Sequence, residues 1–121
     1  MANDNWYGPL WVLPKITTTG LGSGQNITVG ETVESTEYYE AAAKAIIVSC
    51  PSANSGDMFL VMKAADGTYK ASNAGTVVMV IPKGTSRQFP QAEYGSNRYK
   101  LSDFGIDGAN NDIAYPVGIM Q

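Results

Sequence analysis

A loop near the C-terminus gathers the oxygen-bearing side chains that are best suited to chemistry in this chain. They are Asp103, Asp107, Asn110, Asn111 and Asp112. Oxygen ligands closely spaced in one loop can hold calcium, although this spacing does not fit an EF-hand. Asp, Asn and Gly also dominate turns, because their side chains bond to the local backbone or permit unusual dihedral angles. We favour the turn interpretation and keep calcium binding as the alternative.

A second group of carboxylates recurs at every third residue, at Glu31, Glu34, Glu37 and Glu40. Glycoside hydrolysis needs two carboxyl groups that face each other across the substrate, one of them with a raised pKa. Four carboxylates on one short segment are more typical of a single acidic stripe. We therefore predict that Glu31, Glu34 and Glu37 bind a basic surface of a partner protein.

The chain offers little for nucleophilic or acid–base catalysis. It contains one cysteine, Cys50, and no histidine. The commonest general base is therefore missing, and Cys50 has no histidine to activate it. A single cysteine also permits no intramolecular disulfide and no cysteine metal cluster. We predict that the protein is not an enzyme and binds no cofactor.

Composition limits the partners. Charged residues are 16% of the 121 residues, and the net charge is −3. Nucleic-acid binding relies on a basic excess, so we predict no nucleic-acid partner. The chain has no apolar run as long as a membrane span and no signal-peptide pattern at its N-terminus, so we predict no membrane partner. A surface with few charges and many small polar residues suits packing against other proteins.

Both tryptophans lie near the N-terminus, where Trp6, Tyr7 and Trp11 alternate with prolines ahead of a glycine-rich stretch. This pattern predicts an extended arm over residues 1–25, followed by a β-sandwich domain over residues 26–121. Large aromatic side chains must be buried somewhere, so the arm either folds back on its own domain or clasps a neighbour. We predict that Trp6, Tyr7 and Trp11 bind a partner.

Short apolar runs separated by turn signals predict about seven strands and therefore an all-β antiparallel sandwich. Pro116 predicts that the last strand lies at an edge or contains a bulge. Residues 36–43 fit either one helical turn or a strand. The predicted strands are residues 26–29, a buried strand ending at Cys50, and residues 57–63, 68–71, 76–81, 86–89, 98–104 and 113–119.

Three stretches resemble small β-sandwich structural proteins of tailed phages. "KAIIVSCPSANSGDMFLVM" (44–62) resembles two buried strands joined by an Asn-Ser-Gly loop. "GTVVMVIPKGTSRQF" (75–89) resembles a strand, a Pro-x-Gly turn and a further strand, and "KLSDFGIDGANNDIAYPVGI" (100–119) resembles the closing pair of strands. The resemblance covers about two-thirds of the chain. The 66–75 segment and the tryptophan-rich N-terminus depart from it.

The resemblance implies a virion structural protein of a bacteriophage, assembled in the host cytoplasm. It favours a capsid decoration or cement subunit that binds the major capsid protein or other virion proteins. Such subunits are commonly homo-oligomers, and a trimer is the favoured state. A tail or head–tail connector component and a carbohydrate-binding module on the same scaffold are the alternatives. We further expect that removing residues 1–14 abolishes partner binding and leaves the domain folded.

Overall fold

The computed structural model describes residues 10–28, 42–71, 76–90 and 98–119. Seven of the strands in these ranges have three or more residues, and the helical structure there is one 3-10 turn, Leu101–Asp103. The strands are β1 (Leu10–Val12), β2 (Ile16–Thr17), β3 (Gln25–Asn26), β4 (Ala42–Ala43), β5 (Ala45–Cys50), β6 (Met58–Met62), β7 (Val77–Ile81), β8 (Thr85–Phe89), β9 (Tyr99–Lys100), β10 (Phe104–Asp107) and β11 (Ile113–Ile119).

The strands form two main sheets and one small one. The five-stranded sheet has the order β1-β11-β5-β8, and β2 also pairs with β11. The four-stranded sheet has the order β3-β10-β6-β7, and β4 pairs with β9 by itself. Every pair is antiparallel. The predicted all-β antiparallel sandwich is confirmed.

The core lies between the two main sheets and follows from the side-chain period of two along each strand. In β5, Ile46, Val48 and Cys50 are buried, whereas Ile47 and Ser49 are only partly covered. The four-stranded sheet supplies Met58, Leu60, Met79, Ile81, Phe104 and Ile106 to the same core. Burial of each such aliphatic side chain stabilises the fold by roughly 1.5–3 kcal/mol.

From residue 10 onward, the expected N-terminal arm is part of the sandwich. Trp11 in β1 lies opposite Gly118, and Ile16 in β2 lies opposite Ala114. Leu13 and Ile16 are buried in the core, at 4% and 1% exposure. Folding back is therefore the correct alternative for residues 10–25, because their backbone pairs with the sheets and Leu13 and Ile16 enter the core. Residues 1–9 of the expected arm lie outside the described residues.

Of the two alternatives predicted for Pro116, the edge strand is wrong and an irregularity in the pairing is found. Val12 lies opposite Val117 but Ile16 lies opposite Ala114, so the N-terminal segment has one extra residue beside Pro116. β11 lies inside the sheet, between β5 on one side and β1 and β2 on the other. Proline has no N–H to donate to a strand ladder. The Pro116 carbonyl accepts the N–H of Leu13 at 3.1 Å, so the backbone polar groups of Pro116 face the gap between β1 and β2. The N–H that Pro116 lacks would face the same gap, where the N-terminal segment is not in a strand.

Three further predictions need correction or fall partly outside the structure. Residues 68–71 form no strand, because Thr68 bonds back to Asp66 in a tight turn. The predicted strand at 98–104 is divided by the 3-10 turn. Within 36–43, residues 42–43 form β4, and residues 36–41 lie outside the described residues.

In the described ranges, no helix has the length and apolar character needed to cross a membrane.

Candidate interaction surface

Asp107 fixes two chain segments onto the outer face of the four-stranded sheet. Its side chain is fully buried at the end of β10. The carboxylate accepts the N–H of Gly22 at 3.0 and 3.1 Å, the N–H of Ala71 at 2.6 Å and the N–H of Gly108 at 2.9 Å. Hydrogen bonds to a charged acceptor are stronger than neutral ones, so this carboxylate holds the segments near residues 22 and 71 in place.

Tyr69 also lies over β10. We call the segments near residues 22 and 69–71 the cover of this sheet. A Cβ added at Gly105 would meet the Tyr69 ring at 2.5 Å, so glycine is required for the ring to lie against the strand. The Tyr69 hydroxyl donates to the Ser102 carbonyl at 2.7 Å and accepts from the Asn26 side-chain amide at 3.1 Å. Val61, which lies opposite Gly105 on the same face, is fully buried as a result.

Asp112 plays a similar part at the other end of the same loop. Its carboxylate accepts the N–H and hydroxyl of Ser55 at 2.8 and 3.0 Å and the N–H of Gly56 at 3.2 Å. Burial by itself raises the pKa of this carboxyl. The three donors, helped by the charge of Lys83, outweigh burial and lower the pKa below its ordinary value. Asp112 therefore stays ionised and holds the loop that follows β5.

This geometry favours the turn interpretation of the Asp/Asn loop over calcium binding. The Asp107 and Asp112 carboxylates point at N–H and O–H donors, whereas a cation needs them surrounded by further oxygen ligands. Asn111 has a φ of 69°, a left-handed conformation that asparagine tolerates in turns. In the described part of the chain, no group of three or more His, Cys, Asp or Glu side chains is placed to hold a metal.

Cys50 is a buried core residue at the end of β5. Its sulfur accepts the Asn54 side-chain amide at 3.1 Å, and its exposure is 2%. Burial, which exceeds the opposing effect of the Asn54 hydrogen bond, raises the pKa of the thiol above its ordinary value. A neutral, covered thiol is a poor nucleophile.

The outer face of the five-stranded sheet carries apolar side chains that the described residues leave partly open to solvent. Val12, Val117 and Ile47 are direct cross-strand neighbours on β1, β11 and β5. Val12 is 57% exposed, and Ile47, Val117 and Ile119 are half-buried. We call these four residues the apolar strip. Adjacent apolar residues that stay partly exposed are typical of protein contact sites, whereas single ones are ordinary.

The structure brings only one of the predicted partner-binding residues into a described element. Trp11 belongs to β1, beside Val12. Trp6, Tyr7, Glu31, Glu34 and Glu37 lie outside the described residues.

The residues of the apolar strip were not singled out from the sequence, although a signal was present. Ile46, Ile47 and Val48 are consecutive apolar residues in one strand. A strand with one face on the core and one in water alternates apolar and polar residues. Three apolar residues in a row therefore indicate that the outer face of β5 is also apolar.

Comparison with known proteins gives this chain no relative: no family model, no curated protein and no solved structure matches it.

Proposed function

We propose that this protein is a virion structural protein of a tailed phage, and specifically a capsid decoration subunit that binds the major capsid protein. The observation that carries the proposal is the apolar strip on the outer face of the five-stranded sheet. A capsid-binding domain needs such a surface, because apolar burial supplies most of the favourable free energy of association. The resemblance of residues 44–119 to small phage structural proteins supplies the class of partner.

The strip is also well placed to bind without a large entropic cost. Ile47 and Val117 lie on β5 and β11, the two inner strands of the five-stranded sheet. Residues on rigid, hydrogen-bonded strands lose little conformational freedom when a partner covers them. A surface of this kind suits a decoration protein, whose role is to stay attached to a shell.

The polar groups of the described residues favour binding over catalysis. The carboxylates of Asp107 and Asp112 accept backbone N–H groups of their own chain, and the Cys50 thiol is buried and neutral. A catalytic carboxylate or thiol has to reach a reacting atom of the substrate. These three groups instead hold loops and fill the core.

The first test compares Val12→Asp with a matched control, Leu21→Asp. Both residues are exposed, at 57% and 61%, but only Val12 belongs to the strip. We expect wild-type protein to form a closed oligomer, with a trimer favoured, or to bind purified virions in co-sedimentation. Val12→Asp should weaken that assembly at least tenfold, because a charge in a desolvated interface is costly. Leu21→Asp should behave as wild type.

Light scattering measures the mass of the assembly, and co-sedimentation measures virion binding. Together they test whether the apolar strip is the contact surface. If Val12→Asp changes neither readout, the strip is not the contact surface. Mass spectrometry of virions purified from the host that carries the gene tests the location. A protein absent from the particles would overturn the virion assignment, and one confined to isolated tails would favour the connector alternative.

A further inference from the structure

A shallow hollow lies beside the apolar strip, at the loop end of the five-stranded sheet. It has a volume of about 260 Å³. The turns that follow β5 and β7 form its rim, since the N–H of Gly84 donates to the Cys50 carbonyl at 2.7 Å. Gly84 has a φ of 82°, which allows this turn to approach Ser52 closely. Its described lining is Ser49, Cys50, Pro51, Ser52, Gly84, Thr85, Ser86 and Tyr115.

The floor of the hollow is a pair of hydroxyl groups. Ser49 on β5 and Ser86 on β8 are cross-strand partners, and their Oγ atoms lie 2.6 Å apart. When one hydroxyl donates to the other, the second keeps its proton for a ligand and both keep acceptor lone pairs. Thr85 directs its own proton to the Pro82 carbonyl at 2.6 Å and so presents its oxygen as an acceptor.

Tyr115 forms the wall next to the strip. It lies opposite Ser49 on β11 and is 46% exposed. An exposed tyrosine offers a flat apolar ring and a hydroxyl at its tip. The hollow therefore combines one apolar face with several hydroxyl groups.

The described residues that line the hollow carry no charge, since the Cys50 thiol stays neutral. An ionised ligand would lack the charged hydrogen-bond partner that such groups normally have in proteins. The ligand chemistry that fits is a neutral molecule with an apolar face and hydroxyl groups around it, which is the chemistry of a pyranose ring. The volume lies just below the roughly 300–1,000 Å³ of sites for drug-sized ligands, so one ring is the appropriate size.

We propose that this hollow is a binding site for a single pyranose ring of a neutral carbohydrate, stacked on Tyr115 and hydrogen-bonded to the Ser49–Ser86 pair. This is a function in addition to protein binding by the apolar strip. An open, shallow site of one ring gives weak binding, with a Kd on the order of 1 mM.

The experiment is an NMR titration of the ¹⁵N-labelled full chain with methyl α-D-glucopyranoside, methyl α-D-mannopyranoside and methyl β-D-galactopyranoside. We expect saturable shifts for at least one sugar, confined to residues 49–52, 84–86 and 115 and their neighbours. Tyr115→Ala should weaken binding at least tenfold, and Ser86→Ala severalfold. Leu21→Asp, outside both the hollow and the strip, should leave the affinity unchanged.

Four results would overturn the proposal. One is the lack of saturable shifts with all three sugars, and another is their location away from the hollow. The third is unchanged affinity in Tyr115→Ala, provided that its spectrum shows a folded protein. Sodium sulfate serves as the charged probe, and equal or stronger sulfate binding at the same residues would contradict a neutral ligand.

Discussion

The outer faces of the two main sheets differ in what covers them. On the four-stranded sheet, the segments near residues 22 and 69–71 lie over β10, held by the Asp107 carboxylate and by Tyr69 against Gly105. On the five-stranded sheet, Val12 and Tyr115 remain 57% and 46% exposed. Both faces contain apolar residues, but within the described ranges only the four-stranded sheet has covering segments held by buried polar groups.

The difference lies in how backbone polar groups of the covering segments are satisfied on the four-stranded sheet. A covering segment must have its backbone polar groups satisfied, because an unpaired buried N–H costs about 1–3 kcal/mol. Asp107 meets that need for Gly22 and Ala71. In the described residues, the apolar strip has no comparable buried carboxylate beside it, which is the arrangement that the proposed partner contact requires.

The largest expected effect is on the covered face. Asp107→Ala leaves the N–H groups of Gly22, Ala71 and Gly108 without their acceptor and should destabilise the fold by about 4 kcal/mol. Urea denaturation measures this loss. Asp66→Ala is the control, because the Asp66 carboxylate is exposed and accepts the N–H and the hydroxyl of Thr68 within its own turn. Equal, small effects of both variants would show that Asp107 does not hold the cover.

The next effect concerns the edge of the uncovered face. Removal of residues 1–14 takes away β1 and the buried Leu13, so we expect a loss of about 3 kcal/mol, in contrast to the expectation from sequence alone. Removal of residues 1–9 spares both and should leave the urea midpoint near that of the full chain. A fully stable 1–14 deletion would mean that β1 contributes little to the sandwich.

The smallest expected effect is a pH dependence at the loop that Asp112 holds. The folded-state pKa of Asp112 is lower than its ordinary value, so its contribution is complete above the ordinary pKa of about 3.9 and is lost as the pH falls through the lower, folded value. The stability difference between wild type and Asp112→Asn should therefore stay constant from about pH 6 down to the ordinary pKa and shrink below it. A difference that stays constant with pH would contradict this assignment.

The alternating and apolar runs were sufficient to predict the sandwich and most of its long strands. The strands around Ile46–Cys50, Met58–Met62 and Val77–Ile81 form close to where their apolar runs lie. Local signals failed where a distant partner decides the conformation. Residues 68–71 look like a strand, but Asp107 and Tyr69 hold them as an irregular cover.

The candidate surfaces were less accessible to sequence reasoning. The aromatic and acidic residues near the N-terminus are binding candidates by residue type alone. The strip and the hollow instead consist of common residues such as Val12, Ile47 and Ser86. Their significance comes from register: Val12 and Ile47 flank Val117, and Ser86 meets Ser49. Register depends on pairing between residues far apart in the chain, which no local pattern contains.

The sequence by itself determined an all-β chain with no histidine and a single cysteine, because residue types and their period of two are local properties. Only the tertiary structure decided that Pro116 lies inside a sheet, that Leu13 and Ile16 join the core, and that the Asp107 carboxylate accepts backbone N–H groups of distant segments. These outcomes depend on which backbone donors and acceptors meet across long sequence separations, and a buried polar group is tolerated only where such a partner is found.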